Sequence, residues 1–125
     1  MKQPIKTDQA PRALGPYSQA IKVNNTVYLA GQIPLDPKTE ALVSEDFAAQ
    51  AKQVFANLQA VCQASGGDIN NLVKLTIFLT DLQDFSTVNE IMKTFFKEPY
   101  PVRTTIEVAK LPKACKIEID GILVI

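Results

Sequence analysis

The side chains best suited to chemistry lie near the C-terminal end, in "VRTTIEV" and "KIEID". Arg103 and Thr105 alternate with mostly apolar residues in the first segment, and Glu118 alternates with isoleucines in the second. A guanidinium can bind a carboxylate through two parallel hydrogen bonds, and a carboxylate can take a proton from water. These residues would therefore suit the binding of a small carboxylate combined with general base catalysis.

The alternation predicts that both segments are β-strands with one apolar and one polar face. The residues predicted to face the core are Val102, Thr104, Ile106 and Val108 in the first strand, and Ile117 and Ile119 in the second. If the two strands form a hairpin centred between Lys110 and Leu111, Arg103 lies opposite Glu118. A shift of one residue would move one of them to the core face, so the alternation favours this register.

Two interpretations of this pair remain open. In the first, Arg103 and Glu118 form a cross-strand ion pair that contributes about 0.2–1 kcal/mol to stability. In the second, Arg103 binds a substrate carboxylate, Glu118 accepts a proton from water or substrate, and Thr105 lines the pocket.

Weaker signals come from three other positions. Tyr17 follows "GP" at the start of a predicted strand, where it could form a lid over a site or the edge of the core. Gly31 in "LAGQIP" lies inside a strand, where glycine weakens pairing unless a backbone or a ligand comes close. Asn89 lies one position from the inward row of a predicted helix, where a solvated or capping role is the alternative to ligand contact.

The composition excludes several classes of site. The 125 residues include no histidine, which excludes a Ser-His-Asp triad, a Cys-His pair and a histidine metal site. Thirteen basic side chains balance thirteen acidic ones, so the chain lacks the basic surface that nucleic-acid binding usually needs.

Of the two cysteines, Cys62 is predicted to lie in the core and Cys115 at the surface. No apolar run is long enough to span a membrane and no hydrophobic signal region is visible, so we expect a cytoplasmic protein without a membrane partner.

The remaining elements predict an α+β fold. Asn24-Asn25, between two apolar-rich runs, indicates a β-hairpin. An amphipathic helix is predicted from a Ser44 cap to Gly66-Gly67, followed by the strand "LVKLTIFLT" and a second helix in "DLQDFSTVNEIMKTFFKE". The order strand, strand, helix, strand, helix, strand, strand predicts one domain, residues 1–125, with both helices on one face of a mostly antiparallel sheet.

The C-terminal "GILVI" is apolar on both faces of its strand. Two helices can cover only one face of the sheet, so another copy of the chain is expected to cover the other. We therefore expect a homo-oligomer with ligand pockets between chains.

Five segments resemble, in order and spacing, the RidA (YjgF) family: "APRALGPYSQA", "AGQIPLDPKT", "DLQDFSTVNE", "PVRTTIEVAKLP" and "KIEID". The resemblance covers essentially the whole chain. It implies a chorismate-mutase-like two-layer sandwich and a homotrimer whose sheets form a central barrel, with three clefts between subunits. It also implies an enamine/imine deaminase that hydrolyses 2-aminoacrylate and related imines, released by pyridoxal-phosphate enzymes, to 2-keto acids and ammonia.

The resemblance also implies roles for individual residues. Arg103 would bind the substrate carboxylate and Glu118 would position or activate water, whereas Tyr17, the backbone of Gly31 and Asn89 match other cleft positions. Such hydrolysis of a C=N bond needs no metal, cofactor or covalent nucleophile, because imines hydrolyse unaided and need only orientation and proton transfer.

The sequence departs from the family pattern at two positions. Ala30 stands where many members have serine, which removes one possible hydrogen bond to substrate. Thr105 stands where many bacterial members have cysteine, so a hydroxyl replaces a thiol. Neither change affects Arg103 or Glu118, and we expect activity to survive.

Two other functions stay open: a trimer that binds small carboxylates or keto acids without turnover, and a ribonuclease or translation inhibitor, which the balanced charge disfavours.

Overall fold

The computed structural model describes the whole chain, Met1–Ile125, with six β-strands and two α-helices. The strands are β1 (Gln3–Ile5), β2 (Ala20–Val23), β3 (Thr26–Gln32), β4 (Leu72–Leu79), β5 (Val102–Glu107) and β6 (Ile117–Val124). The helices are α1 (Phe47–Ala64) and α2 (Phe85–Phe95). Neither helix combines the length and the hydropathy that crossing a membrane requires.

The six strands form one sheet in the order β1-β2-β3-β6-β4-β5. Neighbouring strands are antiparallel, except that β4 and β5 are parallel and are connected through α2. In the β2/β3 hairpin, Val23 pairs with Thr26, and Asn24 has a φ of 54°, the left-handed conformation that such a turn requires. The predicted hairpin is confirmed.

Helix α1 has a different N-cap from the one predicted. Asp46 caps the helix, because its carboxylate accepts a hydrogen bond from Ala49 N at 3.0 Å. The prediction of Ser44 is wrong: its hydroxyl accepts a hydrogen bond from Asp46 N at 3.0 Å and so orders the turn before the helix. The predicted glycine stop is confirmed, since Gly66 has a φ of 97° and Gly67 N donates to Cys62 O at 3.1 Å.

Both helices pack on the same face of the sheet, which confirms the predicted α+β sandwich. The layer between the helices and the sheet is fully buried. It contains Val54, Phe55, Leu58 and Cys62 of α1, Val88 of α2, and Leu75, Ile77, Leu79, Ile117 and Ile119 of the sheet. Phe55 joins the two helices, because its ring lies 5.4 Å from that of Phe95 and 5.9 Å from that of Phe96, centre to centre. Burial of each large side chain stabilises the fold by about 1.5–3 kcal/mol, so this layer fixes β4 and β6 at the centre.

The two cysteines are both buried. Cys62 lies in the core, as predicted, and burial raises the pKa of its thiol to about 12. The prediction of a surface thiol at Cys115 is wrong: the residue is 1% exposed, and its Sγ donates to Ile117 O at 3.4 Å. Burial raises the pKa of this thiol to about 11, so both cysteines stay protonated and unreactive at neutral pH.

The face of the sheet opposite the helices is open. Large apolar side chains on this face are exposed to solvent. Their exposed fractions range from 41% for Ile106 to 67% for Val102, and those of Tyr28 and Val124 lie within this range. Ile122 lies beside Tyr28 in the register and is half-buried. An apolar surface of this kind, on a sheet whose other face is covered, is typical of a subunit interface.

Strands β5 and β6 do not form the predicted hairpin. Strand β4 lies between them, with Leu75 beside Arg103 on one side and Phe78 beside Glu118 on the other. Alternation defines the faces of one strand but does not determine its neighbour in the sheet, and here β4 pairs with both β5 and β6. The predicted pairing of Arg103 with Glu118 is therefore wrong.

The face assignment of β5 is also reversed. Arg103 and Thr105 share the helix side with Leu75 and Ile77, their register partners. The residues predicted to face the core are on the open side, where Val102 is 67% exposed. The strand lies at the edge of the sheet beside α2, and Asn89, Met92 and Phe85 of that helix contact the Arg103 side chain.

Candidate active site

Arg103 lies in a cleft between β5 and α2 and is held by three groups of α2. Its Nη2 donates to Asn89 Oδ1 at 2.5 Å, and its Nη1 donates to Met92 Sδ at 3.5 Å. Its Cζ lies 4.9 Å from the centre of the Phe85 ring, a cation–π contact. The three α2 residues are spaced four and three apart, so they lie on one side of the helix and face the edge strand.

All three groups that hold Arg103 are neutral. The chain contains one ion pair, between Lys93 and Glu90 at 3.3 Å, and Arg103 takes no part in it. Burial lowers the pKa of the Arg103 guanidinium from its ordinary value, yet an arginine stays protonated in proteins. The guanidinium therefore carries an uncompensated positive charge into the cleft, which is the condition for binding an anion.

The Arg103 cleft has room for a small molecule. Its volume is about 470 Å³, and its lining includes Ser86, Asn89, Met92, Tyr100, Pro101 and Arg103. Thr105 lies two residues along β5 on the same side, and its hydroxyl oxygen is buried without a hydrogen-bond partner. An unpaired buried polar group costs about 1–3 kcal/mol, so a ligand that paired with this hydroxyl would recover that free energy.

Glu118 lies in a second cleft, which contains Tyr17 and Gly31. Its volume is about 590 Å³, and its lining includes Arg12, Tyr17, Ala30, Gly31, Lys113 and Glu118. A bulge in β3 between Leu29 and Gln32 brings the Gly31 backbone against the Glu118 carboxylate. A side chain at position 31 would overlap that carboxylate, so glycine allows the close approach.

The protonation of Glu118 differs from that of an ordinary glutamate. Burial raises the pKa of its carboxyl group, and the negative charge of Asp120, two residues along the same face of β6, raises it further. A raised pKa makes the ionised carboxylate a stronger base than that of an ordinary glutamate.

The structure separates the six predicted site residues into two groups. Arg103, Asn89 and Thr105 belong to the helix side of the sheet, and Glu118 belongs to the open side. Tyr17 and Gly31 share the cleft of Glu118. One chain therefore presents two half-sites on opposite faces, and it does not bring Arg103 and Glu118 to the same small molecule.

The sequence-based prediction missed two residues that contact the Arg103 side chain, Phe85 and Met92. Their spacing from Asn89 in "DFSTVNEIM" is the signal that could have identified them, because it places all three on one helix side. No group of three or more Cys, Asp or Glu side chains is arranged to hold a metal ion.

The chain is similar to several known proteins. The sequence model of the Endoribonuclease L-PSP family matches residues 7–125. The 2-iminobutanoate/2-iminopropanoate deaminase of Homo sapiens is 47% identical over 120 residues, which cover 96% of this chain and 88% of that protein. The crystal structure of RidA from an Antarctic Psychrobacter is 52% identical, with a TM-score of 0.95, and covers 98% of this chain and 99% of that one. The crystal structure of Escherichia coli TdcF with bound serine is 40% identical, with a TM-score of 0.93 and 98% coverage of both chains.

Proposed function

The chain belongs to the Endoribonuclease L-PSP family, which includes the RidA proteins, and on this basis we propose that it is an enamine/imine deaminase. It would hydrolyse 2-aminoacrylate-type intermediates, such as 2-iminopropanoate and 2-iminobutanoate, to 2-keto acids and ammonia. Relatives named as 2-iminobutanoate/2-iminopropanoate deaminases, at 45–47% identity over nearly the whole chain, support this activity.

The observation that carries the proposal is the environment of Arg103. The guanidinium is held by an amide oxygen, a thioether and an aromatic ring, none of which is charged. Its positive charge and its planar set of N–H donors therefore stay available for a substrate carboxylate. A half-buried arginine with a purely structural role would be expected to have a carboxylate partner within the chain. Glu90 lies in the same cleft but pairs with Lys93 instead.

The reaction then needs only positioning and proton transfer. Arg103 binds the carboxylate of the protonated imine and fixes its C=N carbon, while Glu118 takes a proton from a water molecule as the water oxygen bonds to that carbon. The protonated Glu118 returns this proton to the nitrogen of the resulting carbinolamine. Glu118 then takes the hydroxyl proton as the C–N bond breaks, ammonia leaves and the carbonyl of the keto acid forms. Positioned general acid–base catalysis contributes about 10²–10⁴-fold, and fixed orientation adds to it.

We further propose that the complete site forms between subunits of a homotrimer. Arg103 and Glu118 lie on opposite faces of one sheet, so a second copy must supply one of them. The exposed apolar side chains on the open face support the assembly, since burying them would drive association. The number of subunits and the barrel-like arrangement follow from the family resemblance.

A coupled assay tests the proposed activity. A pyridoxal-phosphate dehydratase releases 2-aminoacrylate from serine or 2-iminobutanoate from threonine, and semicarbazide traps the keto acid as it forms. Added protein is expected to accelerate keto-acid formation well beyond the uncatalysed rate, in proportion to its concentration. A rate that does not change with protein concentration would overturn the proposal.

A substitution at Gly31 tests the placement of Glu118. Gly31→Ala adds a methyl group that overlaps the Glu118 carboxylate, and displacing a catalytic group by about 1 Å can cost up to 10²-fold in rate. We expect kcat/KM to fall by about 10–100-fold in the same assay. Ala30→Ser, which adds one atom at the neighbouring position and restores the possible hydrogen bond to substrate, is the matched comparison and should not lower the rate. A Gly31→Ala protein as active as the wild type would contradict the proposed position of the carboxylate.

The second candidate is a trimer that binds small carboxylates without turnover. The TdcF structure with bound serine supports it, because serine carries a carboxylate of the kind that Arg103 could bind. Glu118 argues for catalysis, since a carboxylate beside an anionic ligand weakens simple binding. In the coupled assay, a pure binder would show no acceleration although it would still bind keto acids in calorimetry.

The name of the matching family, Endoribonuclease L-PSP, is the observation that supports the ribonuclease alternative. The chain has equal numbers of basic and acidic residues and no histidine, which gives little basis for holding and cleaving RNA. RNA binding that weakens with salt and disappears in Arg103→Ala would support this alternative.

The cellular setting follows from the proposed chemistry. We propose that residues 1–125 form a single domain that acts in the cytoplasm, beside the pyridoxal-phosphate enzymes that release its substrates. No protein partner other than further copies of the chain is needed for the reaction.

A further inference from the structure

The Glu118 cleft contains two cations that the proposed reaction does not use. Arg12 and Lys113 line the cleft from different loops, and Glu118 is the only acidic residue in the lining. The substrate carboxylate is already assigned to Arg103 in the other half-site. Two further positive charges would therefore remain in the assembled site when a monocarboxylate imine is bound.

Neither cation forms an ion pair within the chain. The single ion pair of the structure is Lys93–Glu90, so no carboxylate oxygen, those of Glu118 included, lies within 4.0 Å of the charged side-chain nitrogens of Arg12 or Lys113. Arg12 and Lys113 thus line the same cleft as Glu118 without forming an ion pair with it. The cleft volume of about 590 Å³ leaves space for part of a ligand beside these three side chains.

The loops that carry the two cations are held in place. The backbone N–H of Arg12 donates to Glu40 Oε1 at 3.1 Å, and the carbonyl of the preceding Pro11 accepts from the buried Gln19 side chain at 2.8 Å. Lys113 has a left-handed backbone with a φ of 57°, and Ala114 follows at 53°. Two consecutive non-glycine residues in this conformation are costly and cluster at functional sites.

We propose that the site accepts imines of dicarboxylic amino acids, with Arg12 and Lys113 binding the second carboxylate. This inference rests on the proposed function, because it assumes that the imine carbon lies between Arg103 and Glu118. The first carboxylate then points to Arg103, and the substituent of the imine carbon extends into the Glu118 cleft toward the two cations. The products are dicarboxylic keto acids of the 2-oxoglutarate class.

The stable keto-acid products provide a binding test that does not depend on turnover. Calorimetry at low salt compares 2-oxoglutarate with 2-oxobutanoate for the wild type, Arg12→Ala, Lys113→Ala and the charge reversal Arg12→Glu. We expect the wild type to prefer 2-oxoglutarate, each alanine variant to lose roughly fivefold of that preference, and Arg12→Glu to lose more. Lys52→Ala, which removes an exposed cation from α1, is the matched control and should keep the wild-type preference.

A kinetic test uses imines that amino-acid oxidases make from glutamate and from 2-aminobutanoate, in the presence of catalase and semicarbazide. The ratio of kcat/KM for the two imines should fall in Arg12→Ala and Lys113→Ala. Equal affinity of the wild type for both keto acids, or a preference that neither variant reduces, would overturn the inference. A failure of the proposed function is distinguishable, because the wild type would then accelerate hydrolysis of neither imine, whatever the binding preference.

Discussion

Replacing Arg103 by alanine is expected to lower kcat/KM for 2-iminobutanoate by about 10²–10³-fold, because the substrate carboxylate loses its charged partner in a half-buried cleft. The loss should appear largely in KM, since Arg103 binds a carboxylate that is present in both the ground state and the transition state. The coupled dehydratase assay with semicarbazide measures it. The fold should survive, because Arg103 lies on an edge strand and makes no ion pair.

Two further variants separate the shape of Arg103 from its charge. Arg103→Lys keeps the charge but loses the planar fork and the contacts with Asn89 and Phe85, so it should recover only a small part of the activity. Lys93→Ala removes a different cation from the same cleft, one already paired with Glu90, and should leave the rate within a few-fold of wild type. Full activity in Arg103→Ala, or an equal loss in Lys93→Ala, would show that Arg103 is not the anchor.

Replacing Glu118 by glutamine is expected to lower kcat by about 10²–10⁴-fold with a smaller effect on KM, because it removes proton transfer while retaining the shape of the side chain. The pH–rate profile gives the more specific result. The ionised carboxylate is the active base, so the wild-type rate should rise as pH increases through the pKa of Glu118. Burial and Asp120 raise that pKa, so the rise should occur at a higher pH than for an ordinary glutamate.

Asp120→Asn is the matched control for this profile. It removes the neighbouring negative charge that raises the pKa of Glu118, so the rise in rate should move to lower pH while the maximal rate is largely retained. In Glu118→Gln the rise should disappear. A Glu118→Gln protein with the wild-type rate and profile would remove Glu118 from the mechanism and favour the binding function.

Local signals in the sequence predicted most elements of the fold. A two-residue asparagine turn fixes the β2/β3 hairpin without help from distant residues, since Asn24 supplies the left-handed backbone itself. The helical spacing of apolar residues predicted which side of α1 is buried, and Gly66 predicted where the helix ends. These features depend on neighbours within a few residues, and that is the range over which sequence patterns are informative.

The relative placement of β5 and β6 could not be obtained in that way. The alternation in "VRTTIEV" and "KIEID" is correct, but it does not reveal that β4, which lies earlier in the chain, separates the two strands. Burial of Cys115 escaped prediction for a similar reason, since a loop residue next to a strand carries no periodic signal. The polar residues of the candidate site were identified from their types, whereas their division between two faces required the sheet order.

The same division makes the inter-subunit site testable without a structure of the assembly. Arg103→Ala keeps an intact Glu118 half-site, and Glu118→Gln keeps an intact Arg103 half-site. If one active site takes Arg103 from one copy and Glu118 from another, a mixed oligomer of the two inactive variants contains some sites in which both residues are wild type.

Mixing these two variants is the most direct measurement. Equal amounts are unfolded together in urea and refolded, native mass spectrometry verifies the mixed oligomers, and the coupled assay measures the rate. In a trimer, random mixing gives both intact residues to one site in about four, so the rate should recover to about a quarter of that of the wild type treated in the same way. Verified mixed oligomers with no more activity than either variant alone would contradict a site that combines Arg103 and Glu118 from different chains.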